Sequence, residues 1–545
     1  RERLRRPWSE QGVPTPAFRP DLPFEPIDVT VATIPTLVSE CEIDHSIGPV
    51  AHSPGGTVAG YRRWRDFLEH GLSGYATRRN DPLTDGVSRL SPYLHYGMVS
   101  PLRIAREAAE RLEAGKQRGR GFKGPEKFLD ELLIWRELAW TFCYQEPRHR
   151  DLVALPGWAR ETLDAHRDER RPRCLSWEQL ARARSDDQLW DAAQLSLLRH
   201  GELHNNVRMT WGKAPLQWTR GPEHALAVLE DLNHRYALDG RDPSSYGGIL
   251  WCLGQFDRPF TPERPILGTV RPRPTEQHAR RLDVGAYRRR VEASPGASPA
   301  RVLVVGGGIA GLCCARALQD AGLAVTVLDK GRGPGGRAST RRVEVEGRRV
   351  TFDHGAQYFT ARDASFRRLI ESWQEQGVVA PWQGRVVRWS ADGQVVEESE
   401  RWVGTPTMSA VVRHLAADLD VRFGHRVTAV ESSGAQWRAH LDGGGDEGPW
   451  DLVLFALPAP QAAELLPPGS ELRERVGGVE MAPCWAVMVS FEAALETGWD
   501  AAVVECSDVL SWVARESSKP QRSATPSWIL HASPDWSRGQ LEDAP

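Results

Sequence analysis

Four clusters in the first half of this 545-residue chain have the residue types and spacing to hold an anionic, partly apolar ligand. Ser88-Arg89-Leu90-Ser91 stands just before Pro92 and a predicted helix, so hydroxyls, a guanidinium and free helix N–H groups converge as on a phosphate. Glu131 and Trp135 lie four apart on one face of an otherwise apolar helix, and Asn205 and Arg208 lie three apart on another. Asp239 sits in the turn Leu238-Asp239-Gly240-Arg241-Asp242-Pro243. A buried Arg needs a partner, so Arg208 with Asp239 is a natural couple. Any one cluster alone is more often a helix cap or a surface pair. Together, with Trp211, Trp218 and Trp251 nearby, they suggest an anionic cofactor in a mainly apolar, Trp-lined bowl.

The second half offers a different chemistry. Gly306-Gly307-Gly308-Ile309-Ala310-Gly311 satisfies GxGxxG directly after a predicted strand, Arg301–Val305, and at the start of a predicted helix, 312–321. Gly306 allows the tight turn, Gly308 lets the backbone approach a pyrophosphate, and Gly311 lets helix and strand pack closely. A second strand, 323–328, leads into Asp329, where a carboxylate accepts from a ribose hydroxyl. The motif alone is weak; its strand–helix–strand–acid setting makes it a nucleotide site. Gly331-Arg332-Gly333-Pro334-Gly335-Gly336-Arg337 extends the phosphate-facing loop and supplies Arg337.

These residues need elements to hold them. Residues 1–60 are Pro-rich with weak periodicity and read as a linker with one or two short elements. From 61 to 236 the pattern is helical: Pro125 sits at a helix start, the run 126–142 keeps apolar residues three and four apart, and Ser185-Asp186-Asp187 caps a helix ending before Gly201. Further helices start near Leu203 and at Pro222, and 239–248 reads as turn. The uncharged Ser/Ala/Pro/Gly stretch within 291–300 is a hinge, and the βαβ grammar begins after it.

Composition sets the limits. With 40% hydrophobic and 26% charged residues the chain is not disordered, and no run approaches the roughly 20 apolar residues of a membrane span. The eight cysteines form no CxxC and are too sparse for a disulfide framework, which fits a reducing, cytoplasmic compartment; no metal-ligand pattern is evident. The net charge of −3 argues against a general nucleic-acid coat. Residues 1–300 carry 44 Lys and Arg against 40 acids, an excess that permits a local DNA groove without demanding one.

Across most of 61–290 the chain resembles the FAD domain of the photolyase/cryptochrome family, closest to its class II branch. The matches include Tyr75 with Arg79-Asn80-Asp81-Pro82, the Ser88-Arg89-Leu90-Ser91 loop, Glu131 with Arg136, Trp190-Asp191-Ala192-Ala193-Gln194, His204-Asn205, Trp211-Gly212-Lys213, the 238–243 turn and Asp257-Arg258-Pro259. The resemblance implies an all-α fold in which Tyr75, Ser88, Arg89, Leu90 and Ser91 hold FAD phosphates. Arg136, Asn205, Arg208 and Asp239 would line flavin and adenine. Glu131 and Trp135 would face a flipped-out pyrimidine dimer of damaged DNA, and Trp251, Trp211 and Trp218 would relay electrons for photoreduction. The implied reaction is light-driven dimer splitting by reduced FAD.

Residues 301–545 resemble the amine-oxidase-like flavoproteins, particularly the renalase-like branch. The added matches are Asp353-His354-Gly355-Ala356-Gln357-Tyr358-Phe359, Val403-Gly404-Thr405-Pro406-Thr407-Met408 and the segments 451–458 and 528–536. This implies an α/β Rossmann-like domain with an inserted α+β substrate region. A second FAD would sit on Gly306, Gly308, Gly311, Asp329 and Arg337, and NAD(P)H or an amine would be the substrate. His354 and Tyr358 are weaker catalytic candidates than packing residues.

Several positions depart from these patterns. Val87 replaces a common hydroxyl, Asn206 stands where a large or basic residue is common, and Ser244 takes the place of an Asn that faces the flavin in the class II pattern. Residues 1–60 are a linker or a remnant of an antenna domain, and the second half stops without the Gly-Asp flavin contact that usually follows, which implies either a truncated chain or an incomplete flavin pocket. The leading expectation is a photolyase-like enzyme fused to a FAD oxidoreductase that could supply it with reducing equivalents. The alternatives are a cryptochrome-like blue-light sensor and a dark renalase-like oxidase carrying a degenerate photolyase domain.

Overall fold

The computed structural model describes residues 23, 25, 27, 29–293, 299–345 and 347–541. The chain forms two compact units that divide at about residue 295. Residues 294–298 of the hinge and 1–22 of the expected linker or antenna remnant lie outside the described residues.

In the first unit the helices follow the sequence punctuation. Asp187 caps helix Gln188–His200 by accepting from the Trp190 amide at 2.9 Å, and Gly201, at φ 61°, ends it. Helix Pro222–Tyr236 opens on its proline. The run predicted from Pro125 is helix Lys123–Asp130, a π-helical turn Glu131–Trp135, and helix Arg136–Gln145. The widened turn falls on the predicted Glu131/Trp135 pair, a departure that is frequent at functional sites. Beneath it, Trp64 stacks on Phe128 with centroids 5.5 Å apart, and Tyr75 meets Phe67 and Phe128 edge-on.

One prediction is corrected here. The 239–248 stretch is turn only to Asp242, and helix Pro243–Cys252 takes the rest. Asp242 caps it through the Ser244 amide, and Pro243 occupies its first turn. Gly247 lies inside this helix, and a glycine suits the position because a Cβ there would lie 3.2 Å from that of Ala139 on the neighbouring helix.

The second unit has a parallel sheet in the order Leu452–Phe455, Arg301–Val305, Ala324–Asp329, Asp420–Phe423. Its strands read as apolar runs because the sheet buries Val302, Leu303, Val304, Val327 and Leu328 almost completely. The following helix is Ile309–Asp320, which begins three residues before the predicted start and so brings Ile309, Ala310 and Gly311 into its first turn. A six-stranded mixed sheet, from Ala486–Ser490 to Gly393–Val396, supplies the inserted α+β region. Among the described residues no helix is long and apolar enough to cross a membrane.

Candidate functional site

Within the first unit, separated stretches converge on one cavity of about 1640 Å³. Its wall includes Tyr75, Ser88, Arg89, Leu90, Ser91, Glu131, Trp135, Arg136, Asn205, Arg208, Asp239, Ser244 and Trp251. A site for one small ligand is typically about 300–1,000 Å³, so this hollow has room for a dinucleotide beside a second flat ligand.

The helix Asn205–Lys213 shows how the wall is built. Asn205, Arg208, Met209 and Lys213 fall on one stripe and line the cavity. Across from the Glu131 turn in sequence, Trp251 of helix Pro243–Cys252 stacks on Trp135 with centroids 5.1 Å apart and planes at 27°. The pair makes a flat aromatic surface. Glu131 is held by two cations, Arg79 at 2.8 Å and Lys127 at 2.8 Å, with Arg79 also 5.6 Å from the Tyr75 ring centre. Burial pushes the Tyr75 phenol up, with Arg79 opposing, so it stays a neutral donor.

The phosphate-type loop is shaped but partly engaged. Arg89 has a left-handed backbone, φ 51°, and ion-pairs with Glu202 at 3.3 Å and Asp85 at 3.6 Å. Leu90 is buried, Ser91 opens helix Ser91–His95, and the Ser88 carbonyl accepts from Arg63 Nε at 3.0 Å. Arg136 pairs with Glu137 at 3.1 Å and lies over the Trp140 ring.

Two expectations fail. Arg208 and Asp239 both line the cavity but, among the described residues, form no ion pair with each other. Asp239 is fixed by its own turn, where its carbonyl accepts from Ser245 Oγ at 3.0 Å and Asn233 Nδ2 donates to the Gly240 carbonyl at 2.9 Å. The Arg208 guanidinium reaches the Leu203 carbonyl instead, at 3.4 Å. Trp211 and Trp218 do not join Trp251. Trp211 projects from the other side of its helix and stacks on Trp190 at 6.2 Å and 9°, while Trp218 meets Trp190 edge-on at 5.8 Å. Trp190 is thus the link that sequence reasoning missed, although it stands in a quoted motif.

The cavity residues fit FAD on one observation: buried donors that find no acceptor among the described residues. They are Arg79 Nε, Arg208 Nε and His204 Nε2. His204 Nδ1 accepts from the Asn206 amide at 3.3 Å, so the proton sits on Nε2. Burial, then the nearby Arg89, lowers its pKa to about 4, which keeps the ring neutral at pH 7. Such donors suit the phosphate and ring acceptors of a dinucleotide.

The second unit holds the other predicted site. Gly306 has φ 116°, and a Cβ on Gly311 would lie 1.9 Å from the Gly306 carbonyl oxygen, so neither position tolerates a side chain. Gly308 borders open space, as a pyrophosphate-facing position must. Asp329 accepts from the Gly307 and Gly331 amides, both at 2.6 Å, and thereby joins the turn to the Arg337 loop. The Arg337 side chain is exposed and its carbonyl accepts from the Ala356 amide at 2.8 Å. Tyr358 packs against Trp382 and Trp512, and the His354 carbonyl accepts from His531 Nε2 at 2.8 Å.

A buried charge cluster lies beyond what the sequence suggested. Asp353 accepts from Thr340 Oγ1 at 2.6 Å and the Met408 amide at 3.1 Å, and it ion-pairs with Arg522 at 2.5 Å. Glu516 pairs with Lys519 and accepts from the Asp353 amide at 3.2 Å. Lys519 also donates to Gln357 Oε1 at 3.1 Å. Burial raises the Asp353 pKa, but Lys519 and Arg522 outweigh it and hold the carboxyl below its usual range; burial dominates at Glu516 and pushes it up. Among the described residues no group of three or more His, Cys, Asp or Glu is set to hold a metal.

Comparison with known proteins divides the chain in the same two parts. Residues 304–373 match the family model of the NAD(P)-binding Rossmann-like domain, and 388–529 that of the flavin containing amine oxidoreductase. The N-terminal half matches deoxyribodipyrimidine photo-lyases. The protein of that name from Oryza sativa subsp. japonica is 41% identical over 237 residues, 43% of this chain and 46% of the relative. The one from Arabidopsis thaliana is 40% identical over 223 residues, 41% and 44%. The one from Methanothermobacter thermautotrophicus is 38% identical over 217 residues, 40% and 46%. The chain thus spans less than half the length of these relatives. It joins a photolyase-like helical half to an amine-oxidoreductase-like half with a Rossmann-like nucleotide motif.

Proposed function

We propose that the helical unit binds FAD in its cavity and repairs cyclobutane pyrimidine dimers in DNA under blue light, and that the second unit is a FAD-dependent oxidoreductase acting on NAD(P)H or an amine. The observation that carries the first part is the convergence of Tyr75, the 88–91 loop, Glu131, Trp135, Arg136, Asn205, Arg208, Asp239, Ser244 and Trp251 on one cavity wall. FAD, when bound and reduced, supplies the light-excited electron donor.

The chain's own residues do the rest. Tyr75, Ser88, Ser91, Asn205 and Arg208 bind and orient the dinucleotide, with the Arg208 and His204 donors satisfied by it. The stacked Trp135 and Trp251 offer a flat wall to an extruded base pair and exclude water from that side. Glu131, positioned by its ion pairs with Arg79 and Lys127, accepts a base N–H. Arg271 and Arg273 on the same wall suit the phosphates of the flanking DNA. The Trp135–Trp251 pair on the wall and the separate Trp211–Trp190–Trp218 cluster behind it are the two candidate routes for electrons during photoreduction. In the second unit, Gly306, Gly308, Gly311, Asp329 and Arg337 would hold the second FAD. Eight free cysteines suit a cytoplasmic setting.

The test is direct. The purified full chain is assayed for flavin content, then illuminated with dimer-containing single-stranded and duplex DNA. Two flavins per chain and light-dependent dimer loss are expected. Photoreduction without dimer loss would replace repair by light sensing, and dark nicotinamide or amine oxidation alone would leave only the oxidase.

A further inference from the structure

Lys213 is the last residue of helix Asn205–Lys213 and ends the stripe that carries Asn205, Arg208 and Met209 into the cavity. It is only 3% exposed. Its ammonium carries three donors, and one is used, by the Cys252 carbonyl at 3.0 Å. No carboxylate among the described residues lies within ion-pair distance of it. Burial lowers its pKa; Cys252 and, from farther off, Asp257 on the cavity wall oppose that, while Arg271 and Arg273 add to it. A buried cation left so is costly unless something negative accompanies it.

The surroundings say what that anion is. The hydroxyls and Arg89 of the 88–91 loop are the donors suited to phosphate. Besides the charged Asp257, Arg271 and Arg273, the groups beside Lys213 on its own helix and around its carbonyl partner are apolar or aromatic. Met209 lies one turn before it on the same helix, Trp251 precedes its carbonyl partner, and the Met209 and Cys252 sulfurs are 4.0 Å apart. Gly248, on the cavity wall, would meet nothing with a Cβ and leaves a flat approach open. Such a floor suits a planar ring that bears a negative charge.

We propose that Lys213 is the counter-cation of the reduced, anionic flavin ring and so sets how readily the flavin in the helical unit is reduced. The inference rests on the FAD reading above. Lys213 is a positioning charge, one that selects the ring's charge state, and the motif Trp211-Gly212-Lys213 gains a role beyond its tryptophan.

The test is a reductive titration of the flavin-loaded full chain against redox dyes. In Lys213→Met the ratio of reduced to oxidised flavin at a fixed potential should fall about tenfold, near 30 mV for a two-electron couple. If both units carry flavin the titration has two waves, and only one should move. Affinity for oxidised FAD should stay within about threefold, because its ring is neutral. Asp257→Asn, which removes the opposing acid, should shift the same wave the other way and serves as the second variant if Lys213→Met folds poorly. Flavin retained with neither wave moving in either variant overturns the inference. A large loss of oxidised-FAD affinity in Lys213→Met with no shift in potential assigns Lys213 to a phosphate and also overturns it. A parent chain that takes up no flavin overturns the FAD reading itself, which separates that failure from the other two.

Discussion

In the second unit Asp353, Glu516, Lys519 and Arg522 are all buried, and each has an opposite charge within 4.0 Å. In the helical cavity Arg208 and Lys213 are set into a wall where, among the described residues, neither has such a partner, and Arg208 Nε finds no acceptor there. The same kind of group is therefore used in two ways. Two acids and two bases that satisfy one another form part of the fold and need no ligand. Cations that face a hollow without partners are held by their helix at the expense of solvation, and the missing attraction is what a bound anion supplies. Buried charge alone does not mark a site; its unmet pairing does.

Changes to the four-charge cluster should have the largest effect on the fold. Arg522→Met leaves the fully buried Asp353 without its closest cation and should destabilise the second unit by about 3–5 kcal/mol. Denaturant unfolding followed by fluorescence measures this, and a loss under about 1 kcal/mol would break the contrast. Gly311→Ala comes next, because its Cβ would lie 1.9 Å from the Gly306 carbonyl oxygen. It should empty the second nucleotide site, so that flavin content falls by one per chain while light-dependent repair is kept.

Glu131→Ala should weaken repair about tenfold to a hundredfold, as loss of a hydrogen bond to a charged group of about 1.5–3 kcal/mol implies. Turnover on dimer-containing DNA under constant light reads it. Flavin content should not change, since Glu131 is assigned to the second ligand.

The smallest effect is a pH dependence. Burial, the main cause, pushes the pKa values of His204 and His234 down to about 4 in the folded chain, below the ordinary imidazole value of about 6.5. Between those limits the unfolded chain binds more protons, so the stability they contribute is present above about pH 6.5 and is lost as pH falls toward 4. His204→Asn keeps a capping side chain and should lessen that loss by on the order of 1 kcal/mol. The readout is the difference in unfolding free energy between pH 7 and pH 5.

How far the sequence reveals each site depends on how local the site is. The Gly306–Gly311 motif, Asp329 and the flanking strands stand within one βαβ unit, and their turn geometry follows from residue type. The helix capped by Asp187 and ended by Gly201 is legible for the same reason. The 239–248 stretch misleads because glycines signal turns, whereas Gly247 serves close helix packing. The Arg208–Asp239 couple misleads because complementary charge says nothing of the gap that two rigid elements leave. Nothing in the spacing of Asp353 and Arg522, 169 residues apart, announces that they meet.

What the amino-acid sequence settled by itself is local: a helical half with clusters suited to an anionic cofactor, then a strand–glycine turn–helix unit. Backbone conformational preference and short-range hydrogen bonding act over a few residues, so they are written in residue type and order. Only the tertiary structure decided which clusters share a cavity, that Trp190 stands between Trp211 and Trp218, and which buried charges are paired. Those outcomes depend on distances between elements far apart in the chain, and packing of the whole unit sets them.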